Sequence, residues 1–464
     1  MTASSSPEAS GAGDAPPPPI TTSPSVGVGQ WMLQRVYDLA IGVTWACILP
    51  FFLLGGLVRR RLARKALSLS TVGLPELQPS DPNRPRVLVH GVSVGEIKAA
   101  QSIVAALEER YEVVVSAFSD TGLEVAGQLF SGVTIVRYPF DFLPLVRRFW
   151  SRIRPDHVLL MELEAWPCFL REANRRGAPV AVVSGRITEE SFRRYRMFGS
   201  LPEFGRISLF AAQDEVYAER FRALAGSDAR VVVTGNVKID GLRPLEAGEE
   251  DPALEALRWT AGLSGLAEAP LVIVAGSTHE PEEEAFVEAA RGALPGARLI
   301  LVPRHPERAE GVQEALSRDG VAAHAPERLS ELRAQGRPAN PLRPLLVDTI
   351  GELEELYGVA DAVFIGGSLI PHGGQNMMEP AAQGVPVVYG PHVDNFLNET
   401  QMLEAAGAAL RVTDADALGE ALRTLASDPG MRQRMGEAGR KALRAERGAT
   451  VATLEALSAR IGLA

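Results

Sequence analysis

The sequence predicts an α/β protein with two doubly wound, Rossmann-like halves behind an apolar N-terminal segment. Three observations predict it. From Arg86 onward, short β-rich runs alternate with amphipathic helical stretches, the pattern of a parallel sheet covered by helices. A polar stretch, "LRPLEAGEEDPALE" (242–255), interrupts the alternation, and a second series follows it. Ahead of both lies a charge-free run, Leu39 to Val58.

The chain of 464 residues has room for two ordinary domains and an appendage. Its 46% hydrophobic and 22% charged residues are a globular composition, and the net charge of −10 argues against general nucleic-acid binding. Of its two cysteines, Cys47 lies in the apolar run and Cys168 follows Trp166-Pro167, so neither a disulfide framework nor a thiolate metal site is expected.

Residues 1–30 are rich in Ser, Pro, Gly and Ala, a composition that cannot bury a core and reads as a disordered tail. Residues 31–65 read as a membrane anchor with a basic flank. The run "LAIGVTWACILPFFLLGGLV" (39–58) has about the ~20 residues needed to span a bilayer. Arg59, Arg60, Arg61, Arg64 and Lys65 follow at once, and such a cluster holds the downstream chain in the cytoplasm. Pro50 and the pair Gly55-Gly56 leave a shallow re-entrant course open.

The first Rossmann-like domain is expected over 66–245. Its strand candidates are "RVLVH" (86–90), "EVVVSAF" (112–118), "VTIVRY" (133–138), "HVLLM" (157–161), "VAVVS" (180–184), "LFAAQ" (209–213) and "RVVVTG" (230–235). The second is expected over 246–464, with strands "LVIVAG" (271–276), "ARLILVP" (297–303), "LLVDT" (345–349), "AVFIGG" (362–367), "PVVYG" (386–390) and "ALRVT" (409–413), then terminal helices. Ligands of such sheets bind beyond the carboxyl ends of the strands, here expected in a cleft between the halves.

The unusual residues fall at those ends. "VLVHGVSVGEIKAAQ" runs from a strand through a two-glycine loop into a helix, with Glu96 where the helix begins. That glutamate either complements the helix dipole or serves as a base. "MELEAWP" puts Glu162, Glu164 and Trp166 after one strand, "VSGRITEESF" puts Arg186 after the next, and "TGNVKID" puts Asn236 and Lys238 near the domain junction. Arg186 suits a carboxylate-bearing substrate.

Five of the seven histidines, His90, His279, His305, His372 and His392, follow strands or lie in Gly/Pro loops. None has the i, i+4 pairing of a helical zinc site, so they read as ligand-contacting or loop-fixing groups, and no metal is expected. In "IGGSLIPHGGQNMMEPAAQG", Gly373 and Gly374 allow close backbone approach, and a helix is expected to open at Gln375 with N–H groups free for a phosphate. Asn376 and Glu379 then share a face, and Glu379 is suited to the vicinal hydroxyls of a ribose. Arg304 is the candidate phosphate partner.

Together these motifs resemble the 3-deoxy-D-manno-octulosonic acid (Kdo) transferase family of lipopolysaccharide assembly. The likeness runs from about Arg86 to Gly439 and rests on "HGVSVGE", "YPFDFLPLVRRF", "MELEAWP", "TGNVKID", "GSTHE", "PRHPER", "DTIGELEELYGVADAVFIGGSL" and "HGGQNMMEPAAQGVPVVYGP", in that order. It implies a GT-B glycosyltransferase, two Rossmann-like domains facing a cleft, with an N-terminal membrane-anchor helix. The implied site is the cell inner membrane, a single anchor holding the catalytic domains on the cytoplasmic side. The implied donor is CMP-Kdo and the acceptor a lipid A precursor, with no cofactor.

Glu96 matches the family's proposed general base, and Asn376 and Glu379 match its nucleotide-contacting pair. Further substrate contacts are expected at Ser93, Gly95, Glu162, Arg186 and Lys238 of the first half and at Ser277 and His279 of the second. CMP contacts are expected at Arg304, His305, Gly373 and Gly374. The chain departs from the family's usual E-T-E-L-W-P at Leu163 and Ala165, which bears on acceptor and sugar specificity. A GT-B enzyme using another nucleotide sugar is the nearest alternative. A dinucleotide oxidoreductase is disfavoured, because Gly91-Val92-Ser93-Val94-Gly95 is not G-x-G-x-x-G.

Overall fold

The computed structural model describes residues 32–44, 74–197, 203–226, 230–242, 252–264, 270–318 and 325–463. Two compact units divide the chain. The first comprises residues up to Asp240 together with Gly448–Ala464, and the second comprises Gly241–Arg447.

The first unit carries β1 (Arg86–Gly91), β2 (Glu112–Ala117), β3 (Thr134–Arg137), β4 (His157–Met161), β5 (Val180–Gly185), β6 (Leu209–Ala212) and β7 (Val231–Val233). They form one parallel sheet in the order β3-β2-β1-β4-β5-β6-β7. The two-residue period of a strand sends alternate side chains to opposite faces. Leu88, Val114, Val158 and Leu160 join one core with Phe149, Trp150 and Phe169. Val87, Val89, Val113, Val115 and Leu159 join the other. Both faces are covered, which is why these strands read as continuous apolar runs.

The second unit carries β8 (Val272–Thr278), β9 (Arg298–Pro303), β10 (Glu327–Arg328), β11 (Leu345–Leu346), β12 (Ala362–Ile365), β13 (Val387–Tyr389) and β14 (Ala409–Arg411). Its parallel sheet has the order β10-β11-β9-β8-β12-β13-β14. The strand order reverses between β1 and β4 in the first sheet and between β8 and β12 in the second. Those switch points are where an open α/β sheet leaves a crevice for a ligand.

All thirteen sequence-expected strands form, within a few residues at their ends. The two-residue edge strand β10 was not expected, because two residues carry no periodic signal. The expected second domain, 246–464, is corrected at its end. Helix Ala449–Ile461 packs Ala449 and Leu457 into the core of the first unit. Its first turn is fixed there, with Gly448 N–H and Thr450 N–H donating to the Asp240 carboxylate at 2.8 and 2.6 Å.

The tail 1–30 lies outside the described residues, as do residue 31 and residues 45–65 of the expected anchor, its basic flank included. Residues 39–44 close a helix, 32–44, and no helix among the described residues is long and apolar enough to cross a membrane. That helix is fastened to the first unit. Tyr37 Oη donates to Asp141 Oδ2 at 2.9 Å, Asp38 pairs with Arg171, and Gln34 donates to Glu203. The segment 31–65, read as an anchor apart from the folded domain, therefore contributes its first part to that domain.

Candidate active site

At the switch point of the first sheet, β1 ends at Gly91 and helix Val94–Ala99 follows. A Cβ on Gly91 would come within 3.0 Å of Glu96 Cβ, so a side chain there would crowd the glutamate. Ser93 is the helix N-cap: Glu96 N–H donates to Ser93 Oγ at 3.3 Å, and the Ser93 hydroxyl donates back to Glu96 Oε1 at 2.8 Å. Val92 N–H donates to Oε2, also at 2.8 Å. This is a capping-box arrangement, and it holds the carboxylate in one orientation. Glu96 is buried, and burial, then the charge of Glu162, raises its proton affinity above the ordinary carboxylate range. Glu96 thus caps the helix and is more basic than a free carboxylate.

β4 supplies the opposite side of the switch point. Glu162 follows it with φ +56°, a left-handed conformation rarely taken by non-glycine residues. Glu162 pairs with Lys238 and lies 4.0 Å from Arg186. Burial works against its charge, but Lys238 and Arg186 outweigh that and hold its pKa below 4.5. Arg186, expected to meet a carboxylate of the substrate, thus already faces a carboxylate of the protein.

Glu164 behaves in the opposite way. Burial, then repulsion from Glu96, pushes it up to about 7, although Trp166 Nε1–H donates to its Oε2 at 2.8 Å. One loop thus carries an ionised glutamate and a protonatable one, the division by which neighbouring carboxyl groups take different chemical roles. Gly95 lies exposed beside Ser93 on the short helix. His90 is more deeply placed than expected. It is fully buried, stacked 3.7 Å from Tyr138, with Nδ1 at 3.0 Å from Ser116 Oγ, and burial pushes it down to about 3. It is a neutral loop-fixing group.

At the switch point of the second sheet, Ser277 has φ +55°. His279 stacks on His372 with centroids 4.4 Å apart, and His305 stands edge-on at 6.0 Å. Burial, then the electrostatic influence of His372, His305, Arg308 and Arg304, pushes His279 down to about 4. Arg304 and His305 are exposed after β9, and Arg304 N–H donates to Thr278 O at 3.0 Å. Among the described residues no group of three or more His, Cys, Asp or Glu is arranged to hold a metal ion.

The glycine loop is corrected in one respect. The helix does not open at Gln375: it spans only Met378–Ala382, and Met378 N–H is taken by Asn376 Oδ1 at 3.1 Å. The helix therefore offers no row of free N–H groups at Gly374. Gly373 and Gly374 precede it at φ +82° and +77°, which lets the loop turn tightly enough for Gly374 N–H to reach Gly367 O at 2.8 Å. Asn376 and Glu379 do meet, Nδ2 donating to Oε1 at 3.0 Å, and Glu379 is half-buried in the helix's first turn rather than on a solvated face.

Two organising residues escaped the sequence reading. Glu282 is buried and accepts from His279, Gly367, Ser368 and Leu369 N–H at 3.0, 2.6, 2.9 and 3.0 Å, tying the loop after β8 to the loop after β12. Its place among four acidic residues in "EPEEE" hid it. Asp141 is buried beneath helix Pro167–Arg176 and accepts from Cys168 N–H and Phe169 N–H, both at 3.0 Å. An aspartate flanked by phenylalanines in "YPFDFLP" was the available signal.

Comparison with known proteins gives the family. A family model described as 3-deoxy-D-manno-octulosonic-acid transferase (kdotransferase) matches residues 62–241. A 3-deoxy-D-manno-octulosonic acid transferase of Bordetella pertussis is 39% identical over 394 residues, 81% of this chain and 87% of that protein. One of Haemophilus influenzae is 32% identical over 385 residues, 80% of this chain and 86% of that protein. A glycosyltransferase structure from Rickettsia africae is 13% identical, with a TM-score of 0.54 over 82% of this chain and 100% of that chain, a likeness of GT-B fold. The chain belongs to the 3-deoxy-D-manno-octulosonic acid transferase family.

Proposed function

We propose that the chain is an inverting glycosyltransferase that moves Kdo from CMP-Kdo to a lipid A precursor of the lipid IVA type. The observation that carries this reading is Glu96: buried at the end of β1, held through both carboxylate oxygens, and raised in proton affinity. An acceptor hydroxyl is a poor nucleophile while protonated. Glu96 takes its proton as the oxygen attacks the anomeric carbon, and CMP leaves from the opposite face. Lys238 and Arg186 keep Glu162 ionised, and its charge in turn makes Glu96 the stronger base.

The second unit holds the donor. Glu379 and Asn376 take the nucleotide, with Gly373 and Gly374 allowing the loop to come close. Arg304, His305 and His279 supply positive or hydrogen-bonding groups for the phosphate and for the sugar carboxylate. The charge-free run Leu39 to Val58 and the basic residues after it support attachment to the cell inner membrane with both units on the cytoplasmic side. The lipid acceptor presents its sugars at that surface.

Glu96→Gln tests the reading. Gln preserves the capping box, so the loop should hold while the base is lost. Turnover of CMP-Kdo with a tetraacylated lipid A precursor, followed by product mass, should fall at least ~100-fold, and CMP-Kdo affinity should stay. Near-normal turnover would refute the base assignment. Transfer from a UDP-sugar and none from CMP-Kdo would refute the donor.

A further inference from the structure

Two aromatic rings lie beside Glu96 that its chemistry does not use. Phe118 follows β2 and Trp166 follows β4, the neighbours of β1 on either side. The rings are near-parallel, 20° apart with centroids at 6.3 Å, and both are half-exposed. The loop of Phe118 is tied to the base: Ser119 Oγ donates at 3.0 Å to the carbonyl of Val92, whose own N–H binds Glu96. Arg137 Nη1 donates to Phe118 O at 2.7 Å and fixes the loop from the other side. Trp166 caps helix Pro167–Arg176, which Asp141 holds by two backbone N–H groups. The platform is therefore rigid at both ends.

We propose that Phe118 and Trp166 are the surface on which a pyranose ring of the acceptor stacks, and that Glu164 hydrogen-bonds a ring hydroxyl, so that the attacking hydroxyl is presented to Glu96. This rests on the reading of the chain as a sugar transferase. A pyranose has an apolar C–H face and a polar rim, and it needs a flat ring partner edged by hydrogen-bonding groups. Here the indole N–H is turned to a carboxyl group, and Glu162 of the same loop pairs with Lys238 and lies 4.0 Å from Arg186. An acyl chain would want an unbroken apolar surface, which this edge is not. Burial lifts Glu164 to about 7, so at neutral pH it is partly protonated and can donate to a sugar oxygen as well as accept. Phe118, Trp166 and Glu164 are thus positioning residues, and Glu96 remains the group that takes the proton.

Steady-state kinetics with CMP-Kdo and the tetraacylated precursor test the proposal. Trp166→Ala should raise the acceptor KM roughly tenfold, with the CMP-Kdo KM unchanged. Trp166→Phe, which restores a flat ring, should recover most of that loss. Phe118→Ala should act in the same direction, and it decides the matter if Trp166→Ala fails to fold. A deacylated glucosamine disaccharide serves as competitor, and its inhibition constant should rise by the same factor. If only the acylated acceptor responds, the platform holds a lipid chain and the proposal is overturned. An unchanged acceptor KM in folded Phe118→Ala, or in folded Trp166→Ala, also overturns it. A wild-type protein that transfers no Kdo would overturn the functional reading instead.

Discussion

Replacing Glu164 by Gln should leave stability unchanged near pH 4 and raise it progressively above. In the folded chain burial, then Glu96, lifts this carboxyl from its ordinary 4.5 to about 7. A tenfold change in proton affinity is worth about 1.4 kcal/mol, so the gap corresponds to roughly 3 kcal/mol. That figure is a ceiling, because water and side chains rearrange around a buried charge. The folded state holds the proton more tightly than the unfolded state. The stability this confers is complete below about 4.5 and is lost as pH rises through about 7. Glutamine mimics the protonated acid and still accepts from the Trp166 indole, so the variant does not lose it. Urea unfolding of both proteins from pH 4.5 to 8 measures the difference. Tryptophan fluorescence suits the first unit, where Trp150 and Trp166 lie, against Trp259 in the second. The variant should gain from about pH 4.5 upward and level off above about 7. A difference that stays constant with pH would refute the reasoning, and Glu164 would then ionise as freely as in water.

Glu379→Ala should weaken CMP binding about tenfold or more in calorimetry, the size of a hydrogen bond to a charged group, with circular dichroism unchanged. Unaltered affinity would mean that its carboxylate has a structural role only. Tyr37→Phe removes a donor from the buried Asp141 carboxylate and should lower stability by roughly 1–3 kcal/mol. Equal denaturation midpoints for variant and wild type would show that helix 32–44 does not support the first unit.

The fold was legible because both sheets are parallel and covered on both faces, which writes each strand as an apolar run. The candidate residues were legible at strand ends in each unit, Glu96 and Glu162 in the first and His279 and Arg304 in the second. The roles were less so. Nothing in "MELEAWP" distinguishes Glu162 from Glu164, yet Lys238, 76 residues further on, pairs with only one of them. That contact sets one carboxyl below its ordinary value and leaves the other free to rise. The left-handed conformations of Glu162 and Ser277 were hidden as well, since neither residue type announces a positive φ. The glycine loop was read one turn too early, because Asn376 was counted inside a helix that it instead caps from outside.

The N-terminal segment carries the lesson furthest. Its sequence is an uncharged run followed by arginines, and hydropathy sees only a tether. Three polar residues just before that run, Gln34, Tyr37 and Asp38, occupy nearly one face of a helix and reach Glu203, Asp141 and Arg171. The opposite side leaves Met32, Val36, Leu39 and Val43 exposed. Such a helix is bolted on one face and apolar on the other, and it passes directly into the uncharged run. Asp141 joins it to the start of helix Pro167–Arg176, whose N-cap is Trp166. Under the proposed membrane attachment, such a helix would fix which side of the first unit faces the lipid, where a flexible tether would only keep it nearby. Removing the segment takes a donor from the buried Asp141 carboxylate, which holds the start of the helix that follows Glu164 and Trp166.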